Sequence, residues 1–423
     1  MSTEVAPEPN PALGFKANHP DLSRGERARL KVVIGHPMLG LGGSESVVMW
    51  LIEALKRDCS VTVATTRGWE RSTLNEFYGT KVEEDEVEVR LAPFPWPLRN
   101  RSMAALRGAA YQRFARRISG EYDVRISAYN LTDWGLPAFH FLADFSWNKM
   151  IRDRVDPQSP GFVYRDSLLR KGYLALASAI AAPSGRDLLA DDRLVANSHW
   201  AAQTILQACN VQCATTIYPP VWGEFPDVPW DQKKDSFVMI GRIAPEKQIE
   251  KAVSILSAVR DRGHSINLHL CGQIEEDLYG RRIIELCRLH SGWIIPEGRV
   301  SGERKTSLLA SCRYGIQARS SEPFGISVAE MVKAGGIVFV PNEGGQAEIV
   351  RNPDLLYSSE SDAVEKILSV LEDPSRQSKI RLELRGRAQE FSTARFISSV
   401  RSFLSPILRQ RDRLVEGSET SQA

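Results

Sequence analysis

Short runs of β-branched and other apolar residues alternate with stretches of helical periodicity along most of the chain. In the first half the predicted strands read KVVIGHP, SVTVATT, VEVRLA, YDVRISAY and RLVANS. In the second half they read DSFVMIGRI, INLHLCGQ, GWIIPEGRV, YGIQARSS and GGIVFVPN. Strands that alternate with helices are typical of parallel sheets covered by helices. The pattern therefore predicts an α/β protein.

One segment, residues 223–234, is rich in proline and charge and poor in periodicity, which predicts a linker. At 423 residues the chain is also longer than one hydrophobic core usually supports. We predict two doubly wound domains, 29–222 and 235–395, that face each other across a cleft at their strand ends, where ligands bind in such folds. We expect a disordered extension over 1–28, and a last helix with a polar tail over 396–423.

Composition and charge exclude several classes of protein. A net charge of +2 gives no reason to expect a nucleic-acid partner. The longest apolar stretch, residues 174–182, is about half as long as a membrane span. The six cysteines are scattered, without the spacing of a zinc site, and the first 28 residues contain no apolar signal segment. These features predict a cytoplasmic protein with reduced thiols and no bound metal.

A glycine-rich loop, MLGLGGSES, follows the first predicted strand and leads into a helix. Gly42 and Gly43 would let the backbone approach a ligand, and the start of the helix offers free N–H groups to an anion. The spacing fits neither the P-loop nor the dinucleotide fingerprint, so it predicts neither an ATP nor an NAD site. From the loop alone, a tight turn without a ligand is an equally good interpretation.

Two cations, Arg242 and Lys247, follow the first strand of the second domain in VMIGRIAPEKQIE. Two positive charges between a strand end and a helix start suit a diphosphate group. The alternative is a solvated pair, in which Lys247 faces water beside Glu246 and Glu250.

Two glutamates, Glu322 and Glu330, lie eight positions apart in SSEPFGISVAEMVKAG, with Gly325 between them. Eight helical residues rise roughly 12 Å, comparable to the distance between the two sugars of a nucleotide sugar. One carboxylate could then accept hydrogen bonds from the donor sugar and the other from the ribose. The alternative for Glu330 is a salt bridge to Lys333, and for Glu348, further on, a position favoured only by the helix dipole.

Five motifs occur in order across both predicted domains: G-G-S-E, N-S-x-W, Y-P-P-V, G-R-x-x-x-E-K and E-P-F-G-x-x-x-x-E. Over about residues 30–395 this set resembles the retaining glycosyltransferases of GT-B fold, the "group 1" class (family 4). The resemblance implies two Rossmann-like domains and a C-terminal helix, within 396–423, that crosses back onto the first domain.

The resemblance also implies roles for single residues. Glu322 would contact the transferred sugar, Arg242 and Lys247 the donor diphosphate, and Glu330 the ribose. Backbone from both domains would support the sugar and the phosphates, at Phe324, Gly325, Ile326, Gly42 and Gly43.

The stretch PAFHFLADFSWNK departs from the family pattern. Many relatives place a histidine near the reacting sugar here, whereas this chain has Ala143 and Asp144. Asp144 is therefore the predicted acceptor-side residue, and His140 is expected to be packed within a strand. Asn197 and Ser198 end a strand near the cleft, where either a structural or a binding role is open.

A basic amphipathic helix is predicted within residues 99–118, where apolar residues recur at helical spacing. Six arginines and no acidic residue occur there: Arg99, Arg101, Arg107, Arg113, Arg116 and Arg117. This composition is compatible with peripheral contact with an anionic membrane, as at the inner face of a cell membrane. The small alanines on the apolar stripe favour the alternative, an ordinary surface helix whose stripe packs on the domain core.

Together these patterns predict a retaining hexosyltransferase, involved for example in polysaccharide biosynthesis. It would move a hexose-type sugar from a UDP- or GDP-linked donor to a glycan or lipid-linked acceptor, with no cofactor besides this co-substrate. No two aspartates are separated by one residue, so we expect transfer without a metal ion. Alternatives are a sugar-nucleotide epimerase or hydrolase on the same scaffold, or a non-catalytic protein that binds nucleotide sugars.

Overall fold

The computed structural model describes residues 29–93, 103–155 and 168–420. The predicted extension over 1–28 and the last residues of the predicted tail, 421–423, lie outside these ranges. Two parallel sheets, each covered by helices, make up the described structure. The α/β prediction is confirmed.

The first sheet has the strand order β3-β2-β1-β4-β5-β6-β7, and all neighbouring strands are parallel. Its strands are β1 (Leu30–Gly35), β2 (Cys59–Thr65), β3 (Val87–Leu91), β4 (Val124–Ser127), β5 (Phe139–Phe141), β6 (Arg193–Ala196) and β7 (Thr215–Thr216).

The second sheet has the order β10-β9-β8-β11-β12-β13 and is again parallel throughout. Its strands are β8 (Lys234–Ile240), β9 (Asn267–Cys271), β10 (Ile294–Gly298), β11 (Cys312–Ile316), β12 (Ile337–Pro341) and β13 (Leu356–Tyr357). In both sheets the chain order reverses beside the first strand, so the loops after the central strands open into a crevice.

Seven helices belong to the first sheet: α1 (Gly43–Leu55), α2 (Arg71–Tyr78), α3 (Ala104–Ile118), α4 (Lys149–Val155), α5 (Leu168–Ala181), α6 (Leu188–Asp191) and α7 (His199–Cys209). Eight follow: α8 (Ile249–Asp261), α9 (Leu278–Leu289), α10 (Gly302–Ser311), α11 (Ile326–Lys333), α12 (Gly345–Val350), α13 (Glu360–Leu371), α14 (Pro374–Ala388) and α15 (Thr393–Thr420). In the described parts of the chain, no helix combines the length and the apolar character that crossing a bilayer requires.

Three short strands could not be predicted from the hydrophobic pattern of the sequence. β5, β7 and β13 have only two or three residues each, too few to display a period. In the sheets, β7 and β13 are edge strands, and β5 lies between β4 and β6.

The last helix, α15, returns to the first sheet, as the resemblance implies. Phe396, Val400 and Leu404 are buried in the hydrophobic core that also contains β1 and α1. Arg401 donates to the carbonyl of Ala54 at 3.0 Å, at the end of α1. The chain therefore crosses between the two sheets twice.

The two crossings lie side by side. The amide of Val221, in the first crossing, donates to the carbonyl of Phe391 in the second at 2.9 Å, and Val221 also forms an isolated parallel bridge with Ser392. The ring of Tyr218 packs against Phe391, with ring centroids 5.1 Å apart. A compact aromatic joint thus connects the domains.

The predicted basic helix corresponds to α3, and residues 99–102 lie outside the described ranges. Its apolar side is buried, including Leu106, Phe114 and Ile118. Arg116 does not face solvent as a free charge, because it forms an ion pair with Asp133 at 2.8 Å. Arg113 and Arg117 are exposed. A membrane would therefore meet only part of the predicted basic face.

Lys233, at the end of the linker, connects two helix ends of the second domain. Its buried ammonium group donates to the carbonyl of Ala310, and to that of Ala334 at 2.9 Å. These carbonyls belong to the last turns of α10 and α11, where backbone acceptors lack partners within the helix. Burial lowers the pKa of Lys233 to about 8, because the charged form loses its water.

Replacing Lys233 with Met keeps the aliphatic volume and removes both hydrogen bonds. Because two buried carbonyls then lack a partner, we expect the free energy of unfolding to fall by about 1–3 kcal/mol at neutral pH. The matched control is Lys234→Met, at the exposed neighbouring position, which should change it by less than about 0.5 kcal/mol. Urea denaturation measures both variants. Equal stabilities would show that the hydrogen bonds of Lys233 make no net contribution.

Candidate functional site

Loops at the carboxyl ends of three parallel strands meet between the domains. The loop after β8 carries Arg242 and Lys247, and the loop after β11 carries Glu322. In the opposite domain, the loop after β1 ends at Gly42, and Gly43 begins α1. Because each strand ends at the cleft, residues far apart in sequence come together there.

Glu322 is the centre of this cluster. Lys247 Nζ lies 2.7 Å from Glu322 Oε2, and Arg319 Nη1 lies 3.4 Å from the same oxygen. The side chains of all three are at most 18% exposed. Lys247 is therefore not the solvated partner of Glu246 that was the alternative interpretation.

Arg242 differs from the other two cations. Its side chain is 80% exposed and pairs with Glu246 at 2.9 Å. Only Nη2 of this exposed guanidinium is paired with Glu246, so most of its N–H donors remain for a ligand. The site thus has two cations committed to a carboxylate and one that points outward.

The charge state of Glu322 follows from these neighbours. Burial alone would raise the pKa of this carboxyl, but Lys247, Arg319 and Arg242 outweigh it and lower the pKa to about 2. Glu322 is therefore a carboxylate at every pH at which the protein would function. It accepts hydrogen bonds and cannot donate a proton.

The estimate of roughly 12 Å treated all eight positions from Glu322 to Glu330 as helical, and this part of the prediction is wrong. The helix α11 begins at Ile326, and Gly325 before it has φ +100°, in the left-handed region that side chains with a Cβ rarely adopt. This conformation turns the chain, so Glu322 lies on the preceding loop and only part of the span to Glu330 is helical. The helix still directs its first amides toward the loop.

Glu330 pairs with a residue that the sequence did not suggest. Its buried carboxylate lies 2.7 Å from Lys305 Nζ of α10, whereas Lys333 instead donates to the carbonyl of Val221 at 3.0 Å. Lys305 also lies over the ring of Trp222, 5.3 Å from its centroid. The predicted alternative, a salt bridge from Glu330 to Lys333, is wrong, because Lys305 pairs with Glu330 and Lys333 donates to Val221.

The glycine loop of the first domain meets the start of α11. A Cβ atom at Gly43 would lie 3.0 Å from Ile326 Cδ1, which is closer than most side chains allow. The carbonyl of Gly42 accepts a hydrogen bond from the buried hydroxyl of Tyr78 at 2.8 Å. These contacts hold the glycine loop next to the start of α11, where the phosphates and the sugar of a donor are predicted to bind.

The side chain of Phe324 is buried away from this position, so only its backbone could take the predicted role there. The ring lies 5.6 Å from the ring of Tyr218 and 5.6 Å from that of Phe391, as part of the aromatic joint. The residue between Glu322 and the helix is thereby anchored.

Asp144, the predicted acceptor-side residue, lies after β5 in the first domain. Its carboxylate accepts from Asn130 Nδ2 at 2.7 Å and from the Ser146 amide at 2.8 Å, and the Tyr129 hydroxyl is 3.5 Å away. All three partners belong to the same domain. The described contacts do not connect Asp144 to Glu322.

Another titratable residue near Asp144 escaped the sequence analysis. His36, directly after β1, is buried, with its ring 5.3 Å from that of Tyr129 and its Nε2 3.2 Å from Ser44 Oγ. Burial lowers the pKa of His36 to about 4, so it is neutral near pH 7. Its position at the end of the first strand was the available signal. His140, by contrast, is packed in β5 as expected, 2.9 Å from Asp192.

Arg319 and Lys305 were also missed. Arg319 is three residues before Glu322 at the end of a strand, so its position was visible in the sequence. Lys305 has no local signal, because its partner is 25 residues away and in another helix. Within the described ranges, no group of three or more His, Cys, Asp or Glu side chains could hold a metal ion.

Comparison with known proteins agrees with this arrangement. Residues 221–389 match the model of the family "Glycosyl transferases group 1". The mouse GDP-Man:Man(3)GlcNAc(2)-PP-Dol alpha-1,2-mannosyltransferase is 27% identical over 288 residues, covering 59% of this chain and 58% of the mouse protein. The human protein of the same name is 26% identical over 258 residues, covering 56% and 52%. The chain thus spans little more than half the length of these relatives.

Solved structures resemble the whole fold. HepE from Anabaena, in complex with UDP and glucose, has a TM-score of 0.62 at 16% identity and covers 89% of this chain and 100% of its own. WaaG, a glycosyltransferase involved in lipopolysaccharide biosynthesis, has a TM-score of 0.62 at 15% identity, covering 87% and 98%. The two facing sheets therefore form a GT-B fold, and within it residues 221–389 are similar to the glycosyl transferases group 1 family.

Proposed function

We propose that this protein is a retaining glycosyltransferase that moves a hexose from a nucleotide diphosphate sugar to a hydroxyl of a glycan or lipid-linked acceptor. The observation that carries the proposal is the cluster around Glu322. A carboxylate held by Lys247 and Arg319 lies beside the start of α11, with Arg242 on the rim. Such a site offers acceptors to sugar hydroxyls and positive charge to phosphates within a few ångströms.

Glu322 is assigned to the transferred sugar. Since its pKa is about 2, it remains an acceptor, and the hydroxyl groups of a hexose are donors that suit it. Lys247 holds the carboxylate at 2.7 Å and has two further N–H groups for the neighbouring phosphate. The sugar and the diphosphate are thus held by one connected group of side chains.

The leaving group is a nucleoside diphosphate, whose charge grows as the glycosidic bond breaks. Arg242, Lys247 and the first amides of α11 stabilise that charge. The acceptor hydroxyl attacks from the same face of the sugar, and its proton passes to the departing phosphate oxygen. The residues described near Glu322 include no second carboxylate paired with it as the nucleophile of a retaining hydrolase would be.

GDP-mannose is the donor that we propose to test first. The mouse and human relatives are named as GDP-Man-dependent mannosyltransferases, and they act on a dolichyl-diphosphate-linked glycan. HepE, in contrast, was crystallised with UDP and glucose, so UDP-glucose is the comparison donor. Glu330 is assigned to the ribose, which both donors share.

Glu322→Gln keeps the shape of the side chain and removes the charge that the sugar hydroxyls and Lys247 share. We expect turnover of GDP-mannose to fall by roughly 10² or more while GDP affinity changes by less than about threefold, as for a group that acts mainly in the transition state. Because Glu322 is ionised from pH 5 to 8, the loss should be the same factor across about that range.

The measurement is radiolabelled transfer to a mannose-terminated lipid-linked glycan, with the anomeric configuration of the product read by NMR. An α-linked product from the α-linked donor shows retention. Glu343→Gln, an exposed carboxylate on the next loop, is the matched control and should keep full activity. Equal losses in GDP binding and turnover would contradict the assignment to the sugar, and binding without turnover by the wild-type protein would indicate a non-catalytic role.

Metal independence is the second prediction. Arg242 and Lys247 would repel a divalent cation in a partly dry cleft, and the sequence contains no Asp-x-Asp pair to chelate one. We expect transfer to persist in EDTA. Replacing both Arg242 and Lys247 with Ala should remove nearly all activity, and added Mg²⁺ should not restore it. The control is Ala at Arg262 and Lys379, two exposed cations of the same domain. Loss of activity on chelation, with recovery in Mn²⁺, would overturn this account.

We also propose that α3 and α5 contact an anionic membrane. Leu174 and Leu176 of α5 are 43% and 54% exposed, and Arg113 and Arg117 of α3 are exposed on the helix packed against it. Exposed leucines and arginines on two helices that pack together suit a lipid surface. A lipid-linked acceptor would be presented at such a surface.

Vesicle flotation tests this contact. Each arginine should contribute about 1 kcal/mol near an anionic surface, so Ala at Arg113 and Arg117 should weaken binding to phosphatidylserine vesicles roughly tenfold or more at low salt. The control removes two exposed arginines of α9, Arg281 and Arg282. If the wild-type protein does not float with the vesicles at low salt, α3 is an ordinary surface helix.

A further inference from the structure

The helix α7 of the first domain begins against the loop that carries Glu322. Ser198 is its N-cap and is fully buried. Its hydroxyl accepts from the Ala201 amide at 2.9 Å and donates to the carbonyl of Pro323 at 2.5 Å. A single hydroxyl thus completes a helix of one domain and holds, in the other, the residue directly after Glu322.

Glu348 reinforces this contact from the opposite direction. It belongs to α12, and its carboxylate accepts from the amides of His199, at 3.1 Å, and Trp200. The hydroxyl of Tyr218 is a third donor, at 2.9 Å. A carboxylate at a helix start accepts hydrogen bonds from free amides and interacts favourably with the positive end of the helix dipole. Here, however, the carboxylate and the helix belong to different domains.

The loop is held from its other side by Gly345. The amide of Gly345 donates to the carbonyl of Glu322 at 2.8 Å. A Cβ at Gly345 would lie 2.2 Å from the carbonyl oxygen of Pro323 and 2.8 Å from Ser198 Cβ, so no side chain fits between these elements. The carbonyl of Glu322 therefore accepts from Gly345, and that of Pro323 accepts from Ser198.

Building on the function proposed above, we propose that Ser198 and Glu348 are positioning residues for Glu322. They fix the start of α7 on the loop and so set where the sugar-contacting carboxylate stands. Neither side chain needs to touch the substrate. A shift of about 1 Å in such a group is enough to lower turnover strongly while leaving binding by other groups intact.

A purely structural role, in which these residues only hold the domains together, makes a different prediction. It would lower stability, and its effect on turnover would be independent of the side chain at position 322. A positioning role acts through Glu322, so its effect disappears when the Glu322 charge is already gone.

The test is a double-mutant cycle that uses GDP-mannose turnover, GDP affinity and thermal stability. Ser198→Ala and Glu348→Gln should each lower kcat about tenfold with GDP affinity within about threefold. In the Glu322→Gln background, the same changes should lower kcat less than about twofold. Equal factors in both backgrounds, or losses explained by GDP affinity, would overturn the proposal.

Ser359→Ala is the matched control. Ser359 is the N-cap of α13, accepts from the Asp362 amide at 3.1 Å and is exposed, away from the Glu322 loop. The Ser359→Ala substitution also removes a helix cap made by a serine hydroxyl. It should therefore lower the melting temperature without changing kcat.

Hydrogen exchange separates this proposal from the choice of donor. If the wild-type protein does not turn over GDP-mannose, the proposed donor is wrong, and exchange then decides on positioning by itself. Ser198→Ala should speed amide exchange about tenfold over residues 322–328 and leave the strands of both sheets unchanged. A faster exchange throughout the second domain would contradict the positioning role. An unchanged exchange rate over residues 322–328 would contradict it as well.

Discussion

A buried carboxylate is costly unless cations surround it, and the Glu322 site follows from that constraint. Lys247 and Arg319 come from the loops of different strands, and both are held on the same oxygen. Arg242 is a third cation near this carboxylate, and it pairs with Glu246. Three cations and two carboxylates leave one positive charge without an internal partner. A diphosphate would meet this charge and could also accept from the exposed donors of Arg242. The site therefore has an excess of positive charge until an anion binds.

The alternation of strands and helices was sufficient to predict the α/β class, and the motifs located the loops that form the cleft. Those features are local, because a strand, a glycine turn and a cation after a strand can be recognised within a few residues. The span from Glu322 to Glu330 is only partly helical because Gly325 adopts a left-handed conformation, for which the Pro-Phe-Gly sequence was the available signal.

The pairing of side chains could not be predicted in the same way. Glu330 with Lys305, and Ser198 with Pro323, are separated by 25 and 125 residues. Such pairs depend on how helices pack within a domain and on how the two domains face each other, which no local pattern encodes. The pairing of Glu330 also has a chemical meaning. Lys305 occupies Oε1, so a ribose that binds there would find the second oxygen and share the carboxylate with a cation seated on Trp222.

The adjacent chain crossings at Val221 and Phe391 act geometrically as one pivot. When one domain turns about a pivot, each atom moves in proportion to its distance from it, as on a lever arm. Tyr218 packs directly on this pivot and donates to Glu348. The hydrogen bonds between Glu348 and the start of α7 would therefore move little during such a turn. The contact of Gly43 with Ile326 involves neither crossing, so a rotation would separate these two residues. A nucleotide sugar could then enter beside the glycine loop while Glu322, to which we assign its hexose, stays in place.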